Sequence, residues 1–485
     1  MNKIRIPLAS LAALSAVIVP ATASAAPREA YVKYPTTVKS GPAACNYAGT
    51  LQVGPASAKN VLVLIPGYLG GSGDFRVLGR RLSAKLPNTQ IWGVDRRSQC
   101  LEDTSIFETG TPAQDLSYYF FNNRIGSKKF AAPAIGSPGV EAARGWGLPT
   151  TLSDINDVIT AAHAVADPKG GKVVLGGHSL GGSLTDLYAV SDFGGTPGYQ
   201  RVKGLVLIDG GARGTFGSAP EESKTTADIA ANATGTPFSS LFPGIASHYQ
   251  GIFVSLSAKY ALAFPTGASA LQGLLNNVGL SAFTRKTTAG KLTNDAGLGY
   301  AFDADTSPAA AALLRFNMGG LKTPKPASPN TPQGWKDGGL TDLKDVKTMF
   351  GTDVPRGNFV EWYFPKRLGI DVAAANGLTQ TAFTDSLVDQ SGSGIKLRHW
   401  ANVNVPLYAF ETNLTCTGSF TNSSSKCGVL SGANSFKNGS KIATANFVEA
   451  KDHAQYHLDP LVARPATDKF TQTLVPFLKN KVGIN

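Results

Sequence analysis

The chain has 485 residues, a formal charge of +12 and 42% apolar side chains. That length can bury one elaborated core or two, and the ordinary apolar content describes a globular protein, not a membrane bundle or a disordered chain. The basic residues form no dense Lys/Arg run and no stripe interleaved with aromatics, which argues against nucleic acid as a partner and leaves anionic or lipid surfaces as what the charge would favour.

The chain begins with Lys3 and Arg5, an apolar run from Pro7 to Pro20, and then Ala23-Ser24-Ala25. This is the order of a secretory signal peptide, with cleavage expected after Ala25. Removing Lys3 and Arg5 leaves 43 basic against 33 acidic side chains, a mature charge of +10. No later segment has the run of about 20 apolar residues that a membrane span needs, so a secreted, extracellular or periplasmic protein is expected. Four cysteines in an exported chain imply two disulfides. Cys416 and Cys427 bracket a Ser/Thr/Asn-rich loop that closes easily, which leaves Cys45 to pair with Cys100. No C-x-x-C is present, so neither a zinc site nor a thiol nucleophile is supported.

Past residue 25, short alternating stretches at 31–34 and 49–53 read as antiparallel edge strands. Residues 60–66 are the first continuous apolar run, the pattern of a parallel strand buried on both faces. It ends in Pro66-Gly67-Tyr68-Leu69-Gly70-Gly71, a glycine-rich turn. A helix is expected over 74–86, with Phe75, Leu78, Leu82 and Leu86 on one face, then a strand over 90–94. The pair Arg96 and Arg97 beside acidic residues reads as a structural ion-pair network. A long loop through 118–121 leads to an amphipathic helix over 152–167, in which His163 is an ordinary helix residue.

Residues 172–182 carry the strongest signal. A β-branched run leads into Gly177-His178-Ser179-Leu180-Gly181, and apolar residues at helical spacing follow over 183–190. This is G-x-S-x-G between a strand and a helix, the setting in which a serine is lifted clear of a sheet on a sharp turn. The Leu180 N–H then lies at a helix N-terminus, where it can face a developing oxyanion. Here the chain resembles the α/β-hydrolase superfamily, in particular secreted lipases and esterases, whose elbows often read G-H-S-x-G.

The resemblance implies an α/β-hydrolase fold: a mostly parallel sheet flanked by helices, with a large cap or lid insertion after the sixth strand. Residues 202–209 form that strand, and the alternation of strand and helix then stops. The core would comprise residues 26–210 and 400–485, and the cap residues 211–399, with helical fragments at 252–263 and 268–278. Apolar groups at 241–243, Phe359 and 362–364 would roof an acyl pocket. The resemblance also assigns roles. Ser179 is the nucleophile. Leu180 and Tyr68 supply the oxyanion-hole N–H groups, with Leu69 as the alternative to Tyr68 and Pro66 standing where the superfamily usually has histidine.

Glu411, ending a strand over 405–411, is the expected acid, with Asp209 the alternative because some lipases carry the acid there. After a last strand over 441–449, His457 is the expected base, since His-Leu-Asp resembles acid lipases, and His453 is the alternative. A closing helix is expected over 468–479. The H-x-x-x-H spacing of the two histidines is no zinc motif here, because H-E-x-x-H is absent. The implied activity is hydrolysis of carboxylic esters, small-molecule or lipid, through an acyl-enzyme without cofactor or metal. Other acyl hydrolases on the same scaffold (peptidase, thioesterase, polyester depolymerase) and a noncatalytic binding protein of hydrolase shape are the competing readings.

Overall fold

The computed structural model describes residues 28–484 apart from 212–214, 216–221, 241–244, 273–289, 308, 323–327, 329, 352–357, 377–398 and 417–426. The expected signal peptide and the apolar group at 241–243 lie outside the described residues. Eight strands form one sheet: β1 (Glu29–Pro35), β2 (Tyr47–Val53), β3 (Asn60–Ile65), β4 (Thr89–Asp95), β5 (Val173–His178), β6 (Leu205–Ile208), β7 (Leu407–Glu411) and β8 (Phe447–Lys451). Their spatial order is β1-β2-β4-β3-β5-β6-β7-β8. β2 runs antiparallel to β1 and to β4, and every later pairing is parallel.

The unbroken apolar runs of β3, β5 and β6 follow from cover on both faces. Period-2 alternation sends Leu62, Leu64, Val206 and Ile208 to one buried cluster and Val61, Val63, Leu175 and Leu207 to the other. The first cluster takes up α1 (Arg76–Lys85), and the second takes up α2 (Leu148–Ala166) and α3 (Leu180–Val190). Both disulfides join the expected partners, Cys45 to Cys100 with Cα atoms 5.0 Å apart and Cys416 to Cys427 at 4.4 Å. Among the described residues, no helix is long and apolar enough to cross a membrane.

Two stretches differ from expectation. The loop through 118–121 contains a helix, Pro112–Tyr119, started by a capping box in which Thr111 and Gln114 satisfy each other's backbone N–H. The last strand begins at Phe447, not at 441, because residues 444–446 turn as a 3-10 helix before pairing starts.

The insertion after β6 contains α4 (Ser247–Ala263), α5 (Leu343–Phe350) and α6 (Lys366–Asn376), and the chain closes with α7 (Lys469–Phe477). The expected helix at 252–263 lies within α4, whereas most of 268–278 lies outside the described residues. Phe302, Phe316, Phe350 and Trp362 of the insertion share a buried cluster with Leu62, Leu64 and Phe75 of the core. A polar anchor joins the two as well. Fully buried Asp459 accepts hydrogen bonds from the Thr341 hydroxyl at 2.6 Å, the Asn317 N–H at 3.1 Å and the Tyr456 N–H at 2.7 Å.

Burial pushes the Asp459 carboxyl up to about 7, although its hydrogen bonds act the other way. The folded chain thus holds this proton more tightly than the unfolded chain, where the value is about 3.9. The stabilisation is complete below about pH 4 and is lost as pH rises through about 7. The thermal midpoint of the wild type should therefore fall more steeply between about pH 5 and pH 8 than that of Asp459→Asn, in which the group no longer titrates. Parallel slopes would contradict this account of Asp459.

Candidate active site

β5 ends at His178, and Ser179 forms the corner before α3 with φ 56° and ψ −123°. A non-glycine residue holds this conformation only where its surroundings impose it. The flanking glycines show the crowding. A Cβ on Gly177 would lie 2.1 Å from the Gly181 carbonyl oxygen, and one on Gly181 would lie 2.0 Å from that of Ile65. The Ser179 N–H donates to the Ile208 carbonyl at 2.9 Å, which fixes the corner to β6. Among the described residues, the Leu180 N–H has no acceptor, as expected for the first residue of a helix.

The turn after β3 is closed by the Gly70 N–H donating to the Gly67 carbonyl at 3.1 Å, with Leu69 at φ 61°. Positive φ at the third residue alone is the type II arrangement. The N–H groups of Tyr68 and Leu69 have no acceptor among the described residues. Gly67 lies against the serine, since a Cβ there would be 2.9 Å from Ser179 Cβ. The turn and the elbow are therefore in direct contact.

His457 is buried and its Nδ1 lies 2.6 Å from Asp209 Oδ2. Asp209 follows β6 directly at φ 45°, and its carboxylate also receives the Thr412 N–H at 2.8 Å and hydroxyl at 2.5 Å. With Nδ1 turned to Asp209, Nε2 is the ring nitrogen left for other chemistry. His178 holds the loop from below, its Nε2 donating to the His457 carbonyl at 2.8 Å, which fixes its tautomer. Burial and the neighbouring His457 keep the His178 imidazole well below the usual histidine range, so it is neutral. Ser179, His178, His457, Tyr68 and Leu69 line one cleft, whose other walls include Leu314, Phe359, Val360 and Leu458.

The structure does not bring Glu411 to His457. Glu411 shares the phase of Leu407 and Ala409, so it projects to the face covered by residues 428–438 and accepts the Leu430 N–H at 3.0 Å. There it meets His453 at 3.1 Å. His453 follows the end of β8 by two residues and stays beside β7, because the Asp452 N–H is tied to the Glu411 carbonyl at 2.9 Å. Each candidate acid thus meets one of the two candidate histidines, Asp209 with His457 and Glu411 with His453, and of these histidines His457 is the one that lines the cleft with Ser179. Glu411, Cys416, Cys427 and His453 gather their ligand atoms within 4.8 Å, but the two sulfurs are bonded to each other.

Arg97 pairs with Asp154 in the manner expected of a structural network. Arg96 does more: it bonds three carbonyls of the turn after β3 as well as Glu361. Neither this role nor that of Thr412 follows from the sequence, where no motif marks them, and although His178 stands inside the elbow motif, the motif does not show that its ring would hold the His457 loop. His163 sits on α2 paired with Asp167, as an ordinary helix residue would.

Neither a family model nor a curated protein matches the sequence. Solved structures do match along nearly the whole chain. A highly thermostable carboxyl esterase from Bacillus coagulans is similar at 11% identity and a TM-score of 0.40, with 95% of this chain and 100% of that one covered. An alpha/beta hydrolase fold protein from Nakamurella multipartita is similar at 13% and 0.39, covering 94% and 100%. MenH from S. aureus is similar at 11% and 0.34, covering 93% and 98%. These likenesses are too distant to carry an argument about chemistry. The mostly parallel sheet with its elbow at the end of β5, followed in chain order by Asp209 directly after β6 and His457 on the loop beyond β8, is what makes this chain a protein of the α/β-hydrolase fold.

Proposed function

We propose that the protein is a secreted serine hydrolase of carboxylic esters, of lipase or esterase type, in which Ser179 is the nucleophile, His457 the general base and Asp209 the acid. The observation that carries this reading is the 2.6 Å contact of His457 Nδ1 with Asp209, in the cleft that Ser179 lines. A serine hydroxyl is a weak nucleophile near neutral pH and needs a base oriented by a third group. Asp209 orients the ring, and Thr412 orients Asp209.

In this mechanism His457 Nε2 takes the Ser179 proton as the hydroxyl oxygen attacks the ester carbonyl. The oxyanion lies against the N–H groups of Leu180 and Tyr68. Collapse expels the alcohol, which takes the proton from His457, and water then repeats the sequence on the acyl-enzyme. Leu69, Leu314, Phe359 and Val360 give the cleft apolar walls, which favour an acyl or alcohol group of some hydrophobic bulk. The residues from the insertion among them support its role as a cap. The two disulfides fit an oxidising, extracellular or periplasmic compartment.

Ser179→Ala should abolish turnover of p-nitrophenyl butyrate without changing the circular dichroism spectrum, and normal turnover would reject the assignment. The Asp209–His457 and Glu411–His453 pairs are separated by four variants. Asp209→Asn and His457→Ala should each lose about 10⁴-fold in kcat. Glu411→Gln and His453→Ala should stay within about tenfold of wild type, since neither touches the serine. The reverse pattern would transfer both roles to the second pair.

A further inference from the structure

The N–H of Tyr68 stabilises an oxyanion only if its peptide plane faces Ser179. That plane is set from behind. In a planar trans peptide the C=O and the following N–H point in opposite directions. The Gly67 carbonyl belongs to the same peptide unit as the Tyr68 N–H, so whatever holds this oxygen aims that N–H. Arg96 Nη2 donates to the Gly67 carbonyl at 3.0 Å and to that of Pro66 at 2.8 Å, while Nη1 donates to that of Gly70 at 3.0 Å. One guanidinium thus holds three carbonyls of a single turn and a carboxylate at once, with donors that its planar fork fixes in direction.

The guanidinium is itself fixed by the insertion. Glu361 Oε2 accepts from Arg96 Nη1 at 2.8 Å, both side chains are buried, and the Ser98 hydroxyl bonds the second Glu361 oxygen. The backbone of the same segment pairs with the turn: the Glu361 N–H donates to the Leu69 carbonyl at 2.8 Å, and the Gly71 N–H donates to that of Phe359 at 2.8 Å. We propose that Arg96 is the positioning residue of the oxyanion turn and that Glu361 holds Arg96 in place, so that the insertion builds part of the hydrolytic site as well as roofing it. This rests on the reading of Ser179 and Tyr68 given above.

The test compares full-length wild type with Arg96→Gln and Glu361→Gln, using turnover of p-nitrophenyl butyrate and amide hydrogen exchange. For Arg96→Gln, kcat should fall about 10²- to 10³-fold, the loss typical of one oxyanion donor, with KM within about threefold of wild type. Exchange should quicken in residues 66–73 and stay unchanged in β5 and β6. Glu361→Gln keeps the size and one acceptor, so it should show the same pattern with a loss of about tenfold; if Arg96→Gln does not fold, this variant decides alone. A folded variant with kcat within about threefold of wild type and unchanged exchange at 66–73 would overturn the proposal. Faster exchange there in a protein whose wild type hydrolyses no ester would count against the proposed function and leave the clamp standing.

Discussion

Sharp reversal of the chain at the carboxyl ends of adjacent parallel strands is the constraint on which the site depends. Four described non-glycine residues have positive φ, and three of them, Leu69, Ser179 and Asp209, belong to the cleft or to the pair beside it. Each such conformation costs about 1–3 kcal/mol and persists only where the surroundings over-determine it. The surroundings here are the sheet's own ladder. The Ser179 N–H bonds the Ile208 carbonyl at 2.9 Å, and the Asp209 N–H bonds that of Phe410 at 2.8 Å. Serine and acid therefore take their positions from neighbouring strands and need no flexible loop.

The histidine is supplied differently, and this gives the insertion its weight. His457 lies on a loop beyond the last strand, held by the His178 ring on the core side and by Asp459 on the insertion side. The same insertion sends residues 358–361 onto the turn after β3 and Leu314 into the cleft wall. The lengthened segment thus reaches the loop that carries His457, the turn after β3 and the cleft wall at once. Its buried aromatics merge with the core, so its packing and the geometry of the site are one problem.

Much of this was legible in the sequence because local chemistry dictates it. Continuous apolar runs announced β3, β5 and β6, and a serine between glycines at a strand-to-helix junction announced the elbow. The choice between Glu411 and Asp209 was not legible. Both end parallel strands, and which one meets the histidine depends on the phase of β7 and on the left-handed turn at Asp209, neither of which composition reveals. The same holds for the histidines: His453 and His457 differ by one loop turn, and the Asp452-to-Glu411 backbone bond that keeps His453 beside β7 is a tertiary contact. Arg96 read as part of an ion-pair network, and so it is, but its three carbonyl acceptors come from a turn about 30 residues earlier in the chain. The helix at Pro112–Tyr119 could have been found from Thr111 and Gln114 alone.

The central claim is that the elbow serine is activated by the histidine it shares a cleft with. Reaction with a serine-directed phosphonate, followed by intact mass and peptide mapping, tests it most directly, because only an activated serine is phosphonylated at an appreciable rate. The account predicts a single adduct, mapped to Ser179 and formed far more slowly in a chain lacking the His457 imidazole. An unmodified protein, or an adduct on any other residue, would contradict it.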